Sequence, residues 1–157
     1  MEVILKMATV DDFDEVLEQL RLAMGEFQKG NPKPTQELFS RREDVTLANP
    51  LGPAAPEIGP VAHGWEQVSK TQEHAASTNR DGELVSVEII EKHVTPELAY
   101  VVEIERARAK IGGREDNTLL ALRATPIFRP EDGTWKVAHR QGDPITTAQP
   151  AESVIQD

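Results

Sequence analysis

Histidines and clustered carboxylates are the residues through which this sequence could do acid–base chemistry. Its four histidines are His63, His74, His93 and His139. His139 shares one face of a strand with Trp135, Val137 and Gln141 if side chains alternate with a period of two. An imidazole buried there would act as acid or base near neutral pH, which makes His139 the candidate catalytic residue. A histidine held in a polar patch or at a subunit surface is the bland alternative. Glu103 and Glu105 fall on one face of another strand with Val101 and Ala107. Two carboxylates at that spacing lie about 7 Å apart, close enough to hold a proton between them or bind a cation. Arg123 belongs to the strand expected beside them and is placed to pair with them. A solvated salt bridge accounts for the same charges. Alternation alone does not say which sheet face turns inward. His63, next to Gly64 at a helix start, is a candidate for the lip of a pocket or for contact with an anionic ligand group. No two histidines stand at metal-ligand spacing, and neither a nucleophile elbow nor a phosphate-cradling loop is present, so no metal and no cofactor are expected.

These residues need elements to hold them. Thr9 caps a helix with acids in its first turn, and Phe13, Val16, Leu17, Leu20, Met24 and Phe27 form one apolar stripe along it. Gly30-Asn31-Pro32 stops that helix, and a shorter one follows Pro34-Thr35. A strand is expected over Asp44 to Asn49, with Val45 and Leu47 on one face. Pro50, Gly52, Pro53, Pro56, Gly59 and Pro60 then make a stiff, irregular loop. A third helix runs from Trp65 to Thr78, with Trp65, Val68 and Ala75 or Ala76 inward. Strands follow over Leu84 to Val94, Ala99 to Lys110, Asn117 to Phe128 and Trp135 to Gln141, joined by hairpin-type turns into an antiparallel meander. Helices first and long strands after give an α+β chain with helices on one sheet face. Leu20, Met24 and Trp65 are assigned to the wall of a pocket between the two layers. The tail after Asp143 reads as extended.

The chain has 157 residues, enough for one domain, and 17 Lys+Arg against 27 Asp+Glu, a formal charge of −10. That balance argues against nucleic acid and against anionic membrane surfaces as partners. With no cysteine, disulfides and thiolate chemistry are excluded. No apolar run is long enough to span a bilayer. Residues Met1 to Lys6 lack the basic start and cleavage site of a signal peptide, and a cytoplasmic location is the expectation.

Two segments carry a resemblance. One is Asp44-Val45-Thr46-Leu47-Ala48-Asn49-Pro50-Leu51-Gly52-Pro53 with Gly64-Trp65-Glu66; the other is Gly133-Thr134-Trp135-Lys136-Val137-Ala138-His139-Arg140-Gln141-Gly142-Asp143-Pro144. With the element order, they resemble the nuclear transport factor 2-like superfamily, on its SnoaL-like and ketosteroid-isomerase-like side, over about residues 8 to 145. The resemblance implies a cone-shaped α+β barrel of about three N-terminal helices on a curved, mainly antiparallel sheet, as a domain over 1–145 with an extended tail over 146–157. It implies a pocket for a small apolar or amphipathic molecule, isomerase-, cyclase- or dehydratase-type acid–base chemistry without a cofactor, and a homodimer formed through the sheet. Asn49 stands where ketosteroid isomerases carry their Asp base, and a carboxamide cannot shuttle that proton, so steroid isomerisation itself is not expected. The first helix also lacks the matching Tyr, and Leu122 to Thr125 lacks the matching Asp. Asn49 is retained as a pocket residue. A non-catalytic binding or interaction module, with either Val85-Val87-Ile89 or Tyr100-Val102-Ile104 turned outward, is the alternative.

Overall fold

The computed structural model describes residues 9–50, 55–145 and 148–156. The elements run α1 (Val10–Phe27), α2 (Lys33–Leu38), β1 (Thr46–Ala48), β2 (Ala62–His63), α3 (Trp65–Ser77), β3 (Asn79–Val94), β4 (Ala99–Ile111), β5 (Thr118–Glu131) and β6 (Thr134–Pro144), with a short 3-10 turn at Ala151–Val154. The strands form one sheet in the order β2-β1-β6-β5-β4-β3. β3 to β6 make the expected antiparallel meander, and β1 adds to β6 in parallel. This is the α+β arrangement of three helices on a curved sheet. Four features differ from the sequence reading. β1 covers only Thr46–Ala48 of the strand expected over Asp44 to Asn49. β3 begins at Asn79, five residues earlier than Leu84. The two-residue β2 is too short to show an alternation. The tail contains a 3-10 turn instead of being extended throughout. Leu51, Gly52 and Pro53 of the expected stiff loop, and the first two residues of the tail, lie outside the described residues.

α1 starts as its residues dictate. The Thr9 hydroxyl accepts from the Asp12 amide at 3.2 Å, while the Thr9 amide donates to the Asp12 carboxylate at 3.0 Å. The apolar stripe then packs on the sheet. Phe13 meets Phe128 edge-on at 4.9 Å and Trp135 at 5.3 Å between ring centres, and all three are buried. The Trp135 indole N–H donates to the Thr9 carbonyl at 2.9 Å, tying the helix start to β6. Beside Trp135 in the β5–β6 register, Arg129 clamps β5 to the segment before β1. Its guanidinium donates to both Asp44 carboxylate oxygens at 2.6 and 2.8 Å and to Glu131 at 2.8 Å.

Burial alternates along β4, so Ala99, Val101, Glu103, Glu105, Ala107 and Ala109 face the helices. Tyr100, Val102 and Ile104 face away. Their partners in register, including Ile104 opposite Arg123, place Arg123 on the outer face too. β3 is shifted in register at three places and β6 at one. Bulges of this kind bend a strand and increase its twist, which curves the sheet around the helices. The turn from β5 to β6 needs positive φ at both central positions, met by Asp132 at 52° and Gly133 at 77°.

Gly82 in β3 is fixed for a different reason. A Cβ there would lie 2.4 Å from the Arg108 carbonyl oxygen and 2.7 Å from both the Ala109 Cβ and the Gln28 carbonyl oxygen. Two of those three atoms are backbone and cannot rotate away. Gly82→Ala is therefore expected to lower the unfolding free energy by roughly 1–3 kcal/mol, the range for overpacking, as a lower midpoint in urea denaturation.

Candidate functional site

The helices and the concave sheet face enclose a cavity of about 560 Å³. Leu20, Met24 and Phe27 of α1, Ala75 of α3, and Leu84 and Leu122 of the sheet give it an apolar wall. Pro50, Leu119 and Ile145 also border it and are exposed, so the cavity opens to solvent between them. Such a space is what small-molecule sites usually offer: apolar walls with a few convergent polar groups.

Among the polar groups of the wall, those of β6, β4 and α3 carry its charges and its unpaired amide. Arg140 of β6 donates to Glu105 of β4 through two parallel bonds, at 2.7 Å from Nη1 to Oε2 and 2.6 Å from Nη2 to Oε1. Their side chains are only 19% and 6% exposed. Burial works against the Arg140 charge, but the facing Glu105 and Glu103 carboxylates outweigh it and hold the guanidinium above its ordinary value. Glu103 is buried one strand period from Glu105, and its Oε1 has no hydrogen-bond partner. Desolvation, with the neighbouring Glu105 charge, pushes its carboxyl up to about 7, although Arg140 pulls the other way. Gln72 of α3 borders the cavity at 3% exposure, and neither its Oε1 nor its Nε2 has a partner. Asn49 borders the cavity near its mouth.

Of the residues singled out from sequence, Leu20, Met24 and Asn49 border the cavity. Glu103 is buried on the same face of β4 beside Glu105, but it does not itself border the cavity, which reaches only as far as Glu105. His139 and Arg123 lie on the outer sheet face. The reason is a bulge: Phe128 pairs with Val137 and the adjacent Ile127 pairs with His139, leaving Ala138 as an extra residue. One inserted residue reverses the alternation, so Trp135 and Val137 point inward, whereas His139 and Gln141 point outward. The expectation that these four share a face is thus corrected. His139 Nδ1 instead shares a 2.7 Å hydrogen bond with the Thr46 hydroxyl, and partial burial lowers its pKa below the ordinary histidine value. Arg123 pairs with Asp143 on that outer face rather than with Glu103 or Glu105. His63 is exposed on β2, its amide donating to Gln67 at 3.0 Å, and does not border the cavity. Trp65 packs against the core with the Arg41 guanidinium 5.0 Å above its ring, away from the cavity wall.

Two site residues escaped the sequence reading. Arg140 was hidden by the bulge, because unbroken alternation from Trp135 assigns it to the outer face. Gln72 had a signal, since it stands four residues from both Val68 and Ala76 on the inward stripe of α3. Its polarity masked that spacing. Among the described residues no group of three His, Asp or Glu could hold a metal ion, and no helix is long and apolar enough to cross a membrane.

Neither a protein-family model nor a curated protein matches the sequence. Solved structures do match. A nuclear transport factor 2-like superfamily protein from Salmonella enterica superposes with a TM-score of 0.68 at 11% identity, over 90% of this chain and 94% of that one. A ketosteroid isomerase-like protein from Erwinia carotovora gives 0.67 at 16% identity, over 87% and 96%. A protein of unknown function with a cystatin-like fold from Nostoc punctiforme gives 0.64 at 15% identity, over 90% and 96%. The chain therefore has the nuclear transport factor 2-like fold, as the two sequence segments implied.

Glu103 sets a test of the electrostatics. Its folded-state value lies above the ordinary 4.5. Between those two values the native state holds the extra proton, so its stability declines as pH rises from about 4.5 to about 7 and then levels off. Glu103→Gln keeps the shape and removes the ionisation. Thermal unfolding should show little change at pH 4.5 but a more stable variant at pH 8, by on the order of 3 kcal/mol. Equal stability at both pH values would contradict the assignment.

Proposed function

From the nuclear transport factor 2-like fold and its internal cavity, we propose that this chain binds a small, largely apolar molecule within the cone and acts on it, without a cofactor, by acid–base chemistry. The observation that carries this reading is the cavity itself, an apolar space ending in the Glu105–Arg140 pair. Glu103, with its carboxyl near 7, is suited to exchange a proton close to neutral pH. Glu105 borders the cavity, and the Arg140 fork holds its carboxylate in a fixed orientation there. Asn49 leaves the position of a steroid isomerase's base without a carboxylate, so proton transfer to a bound molecule belongs to Glu105, the carboxylate that borders the cavity, with Glu103 buried beside it. Isomerase-, cyclase- and dehydratase-type reactions share this requirement.

The neutral fluorophore N-phenyl-1-naphthylamine tests the cavity directly. It should bind saturably, one per chain, with fluorescence enhanced by the dry apolar wall. Met24→Trp adds bulk inside the cavity and should weaken binding by about tenfold or more while the protein stays folded. Absence of saturable binding, or a Met24→Trp variant that binds equally well, would refute the reading.

A second reading, as a non-catalytic dimeric module, rests on the outer sheet face. Tyr100, Val102 and Ile104 turn outward there, and Val102 is 37% exposed at its centre. Val87 and Ile89 pair in register with Glu105 and Glu103 and so lie on the helix side. Of the two outward sets considered, the β4 set is therefore the one available to a second copy. Sedimentation should show a dimer, and Val102→Lys should shift it to monomer without loss of fluorophore binding. A monomeric parent chain would exclude this interface.

A further inference from the structure

Gln72 is the polar side chain in the cavity wall that the fold leaves unused. The other amides and hydroxyls of the wall are occupied. Asn79 donates to Gln28 at 3.2 Å, Thr35 to the Ala23 carbonyl at 3.4 Å and Thr78 to the Ala75 carbonyl at 2.7 Å. The two charges of the wall satisfy each other, since Arg140 commits Nη1 and Nη2 to both oxygens of Glu105. Gln72 alone, among the described residues bordering the cavity, is buried to 3% with acceptor and donor both unpaired. Leaving a buried polar group unpaired costs stability, and a leucine would fill this helix position without that cost.

We propose that Gln72 is the recognition residue of the cavity, and that its ligand is a neutral molecule carrying a carbonyl acceptor and an N–H donor side by side, a carboxamide or lactam on an apolar body. This rests on the cavity being a binding site. A carboxamide faces a ligand amide with two antiparallel hydrogen bonds, so one side chain satisfies both of its own atoms and both of the ligand's. The charge of the wall excludes the other candidates. A carboxylate would find Arg140 already paired and would face Glu105 as well. An ammonium group would have to take a Glu105 oxygen from Arg140. Neutral ligands incur neither penalty.

Isothermal titration of adamantane-1-carboxamide, adamantane-1-carboxylate and 1-adamantylammonium at pH 7.5 compares three polar groups on one apolar body. The carboxamide should bind tighter than either ion by about tenfold or more. Gln72→Leu and Gln72→Met should each remove about that tenfold advantage while N-phenyl-1-naphthylamine still binds. Both unliganded variants should melt no lower than the parent chain, since they lose an unpaired amide. Tightest binding of the carboxylate or the ammonium, or a carboxamide preference that survives both substitutions, would overturn the role of Gln72 while leaving the cavity as a binding site. Binding of the fluorophore but of no adamantane would overturn it in the same way. If neither the fluorophore nor any adamantane binds, the cavity reading falls and this inference with it.

Discussion

A strand sends successive side chains to opposite faces, so the extra residue Ala138 in β6 decides what lies inside this molecule. Before it, Trp135 and Val137 point into the core and meet α1 and the Phe39 bridge. Beyond it, Arg140 points inward and His139 outward. The cavity thereby receives a guanidinium, and the outer face receives an imidazole. β1 follows the same geometry. Leu47, in register with Arg140, is buried at the cavity, while Thr46, in register with His139, holds the imidazole from outside. Without the bulge, Glu105 would lose the partner that makes its burial tolerable, because a buried carboxylate without a counter-charge is strongly destabilising.

The carboxylates respond to that arrangement unequally. Glu105 takes both arms of the Arg140 fork. Glu103, one period away and equally buried, keeps an unpaired oxygen and is driven toward the neutral form. Two chemically identical side chains on one strand face thus sit in different electrostatic environments, because one guanidinium can satisfy only one of them. Separation of this kind is how paired carboxyl groups come to play distinct acid and base roles.

Much of the fold was legible because its signals are local. The stripe from Phe13 to Phe27, the capping box at Thr9 and the Asp132-Gly133 turn each depend on near neighbours in sequence. The cavity side of β4 became clear only in three dimensions, because Glu103 and Glu105 alternate with Ile104 and Arg106 without revealing which set is buried. His139 was misplaced, and Arg140 missed, for a sharper reason. A bulge leaves no compositional mark, and a periodic reading has no means of detecting one added residue. Gln72 shows the opposite difficulty: its position on the helix was readable, but a polar side chain on an inward stripe looks like an error until the space in front of it is known.

The register shifts of β3 have a consequence apart from curvature. With the order ending at β3, this 16-residue strand is the long free edge of the sheet. A flat edge of that length offers a row of unpaired amides and carbonyls to any passing strand, and this one carries exposed Ile89 and Ile90. Its three irregularities break the row into short pieces, and the charges of Glu88, Glu91 and Lys92 flank the isoleucines. The distortions that wrap the sheet around the helices therefore also deny the chain a template for edge-to-edge growth into fibres. Straightening β3 would expose that liability even in a molecule whose interior remained intact.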